Sequence, residues 1–302
     1  MTMTPSPCGH SPLARGRLME NFINKIMTII DGKKIREKIL TDVKERVAKL
    51  PFAPVFCDVL VGENEVSAQY VRMKAKTAES VGISFHHASF PETITTEELV
   101  EEIKKLNKIE NMCGLIVQLP LPLSIDKETV CNAIDANIDV DFLGKDASEK
   151  FYNNQMNIGY PTAMACVYML DSLKMDLSKK KIIMLGQGEL VGRPVLHILK
   201  TRGLDVTPVT RKTENKDELI ASADVIISGI GKGKNIKGDM IKEGAVLIDA
   251  GTSESTSGIV GDVDLESVKE KASFVSPVPG GVGPVTVAML LQNVLIVAEE
   301  SR

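Results

Sequence analysis

The sequence predicts an α/β fold of two domains, each built around a mostly parallel sheet. Short, apolar, β-branched segments alternate with helical patterns, which is typical of parallel strands joined by helices. The alternation restarts after a polar stretch at 145–157, and a glycine-rich turn follows the first strand of the second half. A length of 302 residues suits two domains of ordinary size.

In the first half, the hydrophobic spacing and the turn residues define six elements. Apolar residues recur every three or four positions in the helical segments, and the strands are short and β-branched. Gly82 ends the second helix, while Pro120 and Pro122 follow the last strand. The predicted elements are a helix over 33–50, a strand over 55–61, a helix over 66–81, a strand over 83–88, a helix over 97–106 and a strand over 114–118.

The second half opens on a strand over 181–185 that runs into Gly186-Gln-Gly188-Glu-Leu-Val-Gly192 and then a helix through Lys200. This arrangement is typical of Rossmann-like dinucleotide-binding domains, in which amides at the helix N-terminus hold a pyrophosphate. The GxGxxxG spacing is one residue longer than the usual fingerprint, so close packing alone also explains these glycines. Further strands are predicted over 205–209, 224–228 and 245–249.

The segment Ser276–Thr286 contains three prolines and three glycines in eleven residues, which predicts a rigid loop with exposed amides. An apolar helical pattern follows from Val287. Because this helix comes after the nucleotide-binding half, we expect it to return to the first domain. The expected boundaries are residues 1–26 as a leader, 27–148 plus 277–302 as an α/β catalytic domain built from both chain ends, and 149–276 as a Rossmann-like nucleotide domain.

Composition favours a globular protein that acts on small molecules. Hydrophobic residues make up 43% and charged residues 25%, and the net charge of −4 disfavours nucleic-acid and anionic-membrane partners. No apolar run of about 18 residues is evident, so no membrane span is predicted. Five scattered cysteines without CxxC spacing predict reduced thiols and no metal site. We expect a cytoplasmic protein, with a transit peptide as the alternative for the basic leader before Met27.

The proline- and glycine-rich run closely resembles the C-terminal motif of the bifunctional methylenetetrahydrofolate dehydrogenase/methenyltetrahydrofolate cyclohydrolase family. Other motifs of this family occur in the same order between about Ile29 and Val297. They are Ser67-x-x-Tyr70-x-x-x-Lys74, Val117-Gln-Leu-Pro-Leu-Pro122, Asp139-Val-Asp141 and Val191-Gly-Arg-Pro194. The resemblance implies NADP-dependent oxidation of 5,10-methylenetetrahydrofolate, hydrolysis of the product to 10-formyltetrahydrofolate, a cleft between two domains, and a homodimer.

The resemblance also assigns catalytic and substrate-binding residues. Ser67, Tyr70 and Lys74 share one face of a helix through their i, i+3, i+7 spacing. By resemblance, Lys74 is the acid/base group, Tyr70 flanks the folate ring, Gln118 bonds to the lysine, and Asp141 binds the pterin. A free lysine amine has a pKa near 10.4, so base chemistry predicts a cation or an apolar wall that lowers it by about three units. The remaining substrate-binding residues are Ser67, Pro279, Gly280, Gly281 and Thr286.

The cofactor is predicted to be NADP. The segment Thr210–Thr213 follows the second strand of this half and contains no acid for a ribose hydroxyl, whereas Arg211 and Lys212 could accept a 2′-phosphate. These two residues are also compatible with a solvated loop. Gln187 stands where the family often has an arginine, so NAD remains possible. The cofactor-binding residues implied are Gly186, Gln187, Gly188, Val191, Gly192, Arg211, Lys212, Gly229 and Thr162.

Two segments depart from the family pattern. Phe142 replaces a glycine, and Tyr160-Pro-Thr-Ala163 retains only Thr162 of a Pro-Cys-Thr-Pro motif. The alternatives to the bifunctional enzyme are therefore a relative with only one of the two activities, another two-domain dehydrogenase that acts on a hydroxy acid or amino acid, and a non-catalytic dinucleotide-binding protein.

Overall fold

The structure is a computed structural model that describes residues 27–256 and 258–301. The predicted leader and Cys8 lie outside these residues. The first half contains β1 (Thr28–Ile29), α1 (Gly32–Val47), β2 (Val55–Val61), α2 (Glu65–Ser80), β3 (Ser84–Phe90), α3 (Thr96–Leu106), β4 (Met112–Val117), α4 (Lys127–Cys131) and α5 (Lys145–Tyr152). The second half contains α6 (Pro161–Ser172), β5 (Ile182–Leu185), α7 (Gly192–Thr201), β6 (Val206–Val209), α8 (Lys216–Ser222), β7 (Val225–Ser228), a 3₁₀ turn (Gly238–Met240), β8 (Val246–Asp249), β9 (Ser253–Ser255), β10 (Gly258–Val260), α9 (Leu265–Val268), β11 (Phe274–Val275) and α10 (Val282–Glu300).

Two parallel sheets confirm the α/β prediction. The first has the order β3-β2-β4, with β2 in the centre. The second has the order β1-β11-β8-β7-β5-β6. Strand β1 pairs in parallel with β11. Residues 28 and 29 were expected to belong to the first domain. They instead add an edge strand to the sheet of the nucleotide-binding half.

Local sequence explains where the helices of the first half begin. The Asp31 side chain accepts hydrogen bonds from the backbone amides of Lys33 and Lys34, and the Asn64 side chain accepts one from Ser67. Thr95 and Glu98 form a reciprocal capping box at α3. Each cap satisfies amides that the first helical turn leaves unpaired. The cap at Asn64 therefore fixes the residue at which α2 begins.

Two elements differ from the sequence analysis. The polar stretch at 145–157, for which no element was predicted, contains α5, whose Ala147 and Phe151 are buried. Helix α10 begins at Val282, five residues before the predicted start, because Gly283 and Pro284 fall in the first turn, where a proline without an N–H is tolerated. The rigid loop is therefore confined to residues 276–281.

Helix α10 is the core helix that joins the two halves. It packs against α1, α6 and β4. By length and composition it could cross a membrane, although no span was predicted from the sequence, but 67% of its apolar 18-residue window is buried inside the protein. Most of its apolar surface is thus covered by the fold.

Four cysteines of the described residues are free, buried thiols: Cys57, Cys113, Cys131 and Cys166.

Asn293 is the buried polar residue that ties α10 to its neighbours. Its Nδ2 donates to the carbonyl oxygens of Val140, at 2.9 Å, and Gly159, at 2.7 Å. We expect Asn293→Ala to lower the free energy of unfolding by about 2–3 kcal/mol, because two buried carbonyls lose their donor. Urea unfolding measures this change. The neighbouring Gln292→Ala should cost less than about 0.5 kcal/mol, and equal losses for both variants would contradict the prediction.

Candidate active site

Helix α2 carries the three residues of the Ser-x-x-Tyr-x-x-x-Lys motif on one side. Ser67 and Lys74 are buried, with 4% and 8% of their surfaces exposed, whereas Tyr70 is 45% exposed. The face of α2 therefore runs from the protein interior at Lys74 to an open rim at Tyr70. An aromatic ring at such a rim is available to flank a planar ligand.

The Lys74 amine is held by two side chains from the first sheet. Its Nζ donates to Gln118 Oε1 at 2.8 Å and lies 2.6 Å from Asp58 Oδ2. Gln118 follows β4, and its own Nε2 donates to the carbonyl of Leu119 at 2.7 Å, which fixes the orientation of the amide. The predicted Lys74–Gln118 contact is present in the structure. The ammonium faces protein oxygens, not bulk solvent.

Asp58 was not predicted from the sequence. It lies in the central strand β2 with none of its surface exposed. Lys74 is buried, as expected, but the group in contact with its amine is this carboxylate and not the expected cation or apolar wall. Burial raises the pKa of Asp58, and the charge of Lys74 opposes that rise. One signal was available: an acid within an otherwise apolar strand requires a partner.

The two acids of Asp139-Val-Asp141 differ in their hydrogen bonds. Asp139 accepts hydrogen bonds from the amides of Leu143 and Gly144, so its buried carboxylate organises the loop after it. Residue 139 also bridges to Leu115 of β4. Burial raises the pKa of Asp139 to about 6. Asp139 is thus a structural residue that places Asp141 near the end of the first sheet.

Asp141 lies within electrostatic reach of both Lys74 and Asp58. Burial, followed by the charge of Asp139, raises the pKa of Asp141 to about 7, and the charge of Lys74 opposes the rise. The side chain is partly open to solvent even though protein surrounds it closely. Within the described residues, its carboxyl group makes no side-chain hydrogen bond. Asp141 is therefore available to bind a ligand in either protonation state near neutral pH.

This raised pKa predicts how Asp141 affects stability. A carboxyl group whose pKa is higher in the folded state stabilises the fold fully below about pH 4, and that contribution is lost as the pH rises through about 7. We expect Asp141→Asn to raise the free energy of unfolding at pH 8 by about 1–2 kcal/mol, with a smaller gain at pH 5. Urea unfolding at the two pH values tests this. The exposed control Asp205→Asn should change neither value, and an equal gain at both would refute the prediction.

The proline- and glycine-rich loop lies against the start of α1. The amide of Gly32 donates to the carbonyl of Gly280 at 3.0 Å, and a Cβ at Gly32 would overlap the carbonyl oxygen of Gly281. Gly280 has a φ of 103°, which a side chain would strain. The loop, including Pro279, is therefore held by backbone contacts that only glycines permit.

Thr162 and Thr286 lie next to each other near the N-termini of α6 and α10. Their hydroxyl oxygens are 3.5 Å apart, and Thr286 also donates to the carbonyl of Val282 at 3.2 Å. Thr162 was assigned to the cofactor and Thr286 to the substrate. Because the two hydroxyls meet, the structure brings together the start of the nucleotide-binding half and the end of the proline- and glycine-rich run.

A cavity of about 800 Å³ lies at the carboxyl ends of β5, β6 and β7. Predicted cofactor residues that line it are Gly186, Gln187, Gly188, Arg211 and Gly229. Ligands of open parallel sheets bind at this edge. A Cβ at Gly188 would meet no atom within 4 Å, so the turn leaves room for a bound group.

The other predicted cofactor residues lie outside the lining of this cavity. They are Thr162, Val191, Gly192 and Lys212. Gly192 serves packing instead, because a Cβ there would overlap the carbonyl oxygen of Gly186. Three lysines in the lining were not predicted: Lys216, Lys234 and Lys237. Lys216 is the first residue of α8. The basic residues that begin at Arg211 were the sequence signal from which its place in the cavity could have been predicted.

The two departures from the family pattern contact each other. Phe142 has a φ of 58°, the left-handed conformation that suits the glycine it replaces. Its ring stacks on Tyr160 at a centroid distance of 4.9 Å and meets Phe151 at 5.5 Å. Packing of three aromatic rings offsets the strain of this backbone conformation. The altered segments therefore form one aromatic cluster, and Phe142 and Tyr160 also border a cavity of about 580 Å³.

Comparison with known proteins agrees with this geometry. The tetrahydrofolate dehydrogenase/cyclohydrolase catalytic-domain model matches residues 30–141, and the NAD(P)-binding-domain model matches residues 160–302. The Bifunctional protein FolD of Hydrogenobaculum sp. is 39% identical over 271 residues, which are 89% of this chain and 98% of that protein.

Two solved structures are similar over most of their length. The bifunctional enzyme FolD from Campylobacter jejuni has 35% identity and a TM-score of 0.87, and the match covers 91% of this chain and 100% of that one. The FolD enzyme of Trypanosoma brucei, complexed with NADP and an inhibitor, has 31% identity and a TM-score of 0.84, with 91% and 98% covered. This chain belongs to the tetrahydrofolate dehydrogenase/cyclohydrolase family.

Proposed function

We propose that this protein is a bifunctional enzyme of one-carbon metabolism. It oxidises 5,10-methylenetetrahydrofolate to the methenyl cation with NADP, and it hydrolyses that cation to 10-formyltetrahydrofolate. The observation that carries this proposal is the buried amine of Lys74, which lies 2.8 Å from Gln118 Oε1 and 2.6 Å from Asp58 Oδ2. The same chain has a cavity of about 800 Å³ at its glycine turn. The two contacts of Lys74 fix the amine in one place, and a group that transfers protons must be positioned in this way.

The residues of the nucleotide cavity fit NADP. The glycine turn after β5 leaves open space at Gly188, where backbone amides can approach a pyrophosphate. Arg211 and Lys216 line the same cavity and offer cations for a 2′-phosphate. A bound nicotinamide would supply the acceptor for the hydride of the methylene carbon. The protein contributes orientation to this step, because the two nitrogens that flank the carbon stabilise the resulting cation.

The hydrolysis step needs proton transfer from the protein. Water attacks the methenyl carbon and loses a proton, and the bond from that carbon to the ring nitrogen then breaks as the nitrogen gains a proton. The Lys74 amine accepts the first proton and donates the second. Gln118 orients the amine, Asp141 binds the pterin, and Tyr70 lies at the exposed rim where it can cover the ring.

A paired assay tests both activities. The protein is incubated with methylenetetrahydrofolate and either NADP or NAD, and reduced nicotinamide is followed by its absorbance. Separately, methenyltetrahydrofolate is supplied and its decay is compared with the rate in buffer. The proposal expects both activities, with NADP preferred. Loss of only the second activity would identify a dehydrogenase alone, and loss of both with retained NADP binding would identify a non-catalytic binding protein.

We infer further that the protein is a homodimer in the cytoplasm and does not bind nucleic acid or membranes. Support for a dimer comes from β3, which is the edge of the first sheet and whose outer backbone is unpaired within the described residues. The net charge of −4 and the four buried thiols support the remaining inferences. Light scattering after size-exclusion chromatography tests the dimer, and cell fractionation tests the location.

A further inference from the structure

Asp58 differs from every other buried polar side chain that the structure describes. Both of its carboxylate oxygens are buried, and neither accepts a regular hydrogen bond within residues 27–256 and 258–301. The ion pair with the Lys74 amine, at 2.6 Å, is its one polar contact in that part of the chain. By contrast, the buried carboxylates of Asp139, Asp249 and Asp262 each accept backbone amides. Asp58 is therefore not a structural cap.

We propose that Asp58 is a positioning residue that holds the Lys74 amine beside Gln118 and sets the pH range in which this amine catalyses hydrolysis. The proposal rests on the function proposed above. Lys74 reaches two acceptors from adjacent strands, one in the middle of β2 and one just after β4. Two acceptor atoms therefore define the position of the amine, and removal of either one would let the long side chain adopt other rotamers.

The carboxylate of Asp58 places a negative charge 2.6 Å from the amine. A buried carboxylate without a cation beside it is costly, so the ionised carboxylate favours the ammonium form of its partner. In the reaction, a C–O bond forms from water to the methenyl carbon while a water proton moves to the neutral amine. The resulting ammonium returns that proton to the ring nitrogen as the C–N bond breaks, and the remaining hydroxyl proton leaves to solvent as the C=O bond forms. Asp58 makes no bond to substrate.

The groups that surround the Asp58–Lys74 pair come from β2 itself, from the flanking strands β3 and β4, and from the loop after β4. His87 of β3 is in register with Asp58 and lowers its pKa, and Ile116 of β4 on the other side is uncharged. Asp141, in the loop after β4, interacts electrostatically with both Asp58 and Lys74. The Cys57 thiol, whose pKa burial raises to about 12, is a neutral neighbour. Of these groups, Asp58 is the one in direct contact with the amine.

The decisive variant is Asp58→Asn, which keeps the shape and removes the charge. The neutral amine is then favoured, so the ascending limb of the pH–rate profile for methenyltetrahydrofolate hydrolysis should move to lower pH by at least about one unit. Oxidation of methylenetetrahydrofolate at a fixed pH should change by less than about fivefold, because it does not use this proton. Asp205→Asn, an exposed acid, serves as the matched control and should leave the profile unchanged.

A second measurement does not depend on activity. The Lys74 side chain is followed by NMR in protein labelled with ¹³C-lysine, and its signal is assigned by its loss in Lys74→Met. Its titration should move to lower pH in Asp58→Asn and in Asp58→Val, the latter being a β-branched residue suited to a buried strand. The proposal would be overturned if a folded Asp58→Asn variant kept both the wild-type ascending limb of the pH–rate profile and the wild-type titration of Lys74. Wild-type protein without any hydrolysis would instead refute the proposed function, while the NMR titration would still test Asp58.

Discussion

Lys74→Met is expected to reduce hydrolysis of methenyltetrahydrofolate by at least about 10³-fold, to the rate in buffer, while NADP binding survives. Methionine has a similar length but cannot accept or donate a proton. The Lys74 amine is held by both Gln118 and Asp58, and no other cation among residues 27–256 and 258–301 forms an ion pair with Asp58. The decay of methenyltetrahydrofolate absorbance measures the loss. Lys76→Met, an exposed lysine on the same helix, should retain full activity.

Loss of stability must be separated from loss of chemistry in this variant. Removing Lys74 leaves the Asp58 carboxylate buried without a partner, which costs about 3–5 kcal/mol unless the carboxyl group takes up a proton. The double variant Lys74→Met/Asp58→Val removes both charges and should recover most of this stability. We expect it to remain as inactive in hydrolysis as the single variant. Recovery of activity above the solution rate in either variant would refute the acid/base role of Lys74.

Gly192→Ala is expected to lower the free energy of unfolding by about 3 kcal/mol and to weaken NADP binding by at least about tenfold. A Cβ at this position would overlap the carbonyl oxygen of Gly186, so α7 would have to move away from the glycine turn. That movement changes the positions of the amides that face the nucleotide cavity. Thermal unfolding measures the first effect, and titration calorimetry with NADP measures the second.

The control for this variant lies in the same turn. A Cβ at Gly188 would meet no atom within 4 Å, so Gly188→Ala should change the midpoint of thermal unfolding by less than about 2 °C. The pair of variants therefore separates close packing from open space within one motif. Equal destabilisation by both alanines would show that the packing of Gly192 on Gly186 is not what the motif requires.

Short-range patterns made most of the elements predictable. The strand Val55–Val61 was predicted with its observed bounds. The helix predicted over 66–81 is shifted by one residue at each end, and the helix predicted over 97–106 begins one residue late. Such segments carry a clear hydrophobic period and clear caps. The start of α10 was missed because glycine and proline usually end helices, yet both are acceptable in a first turn, where amides have no intrahelical partner. The edge strand β1 was missed because two residues carry no periodic signal.

The sequence by itself determined the family and the α/β class, and it predicted Lys74, Gln118 and Asp141 as site residues, because each of these depends on motifs of adjacent or regularly spaced residues. Only the tertiary structure decided that Asp58 pairs with Lys74, that Gly192 packs on Gly186, and that Phe142 stacks on Tyr160. The physical reason is that burial, charge pairing and overlap depend on distances between residues far apart in the chain. Those distances are set by the packing of the sheets and helices, and local sequence patterns do not encode them.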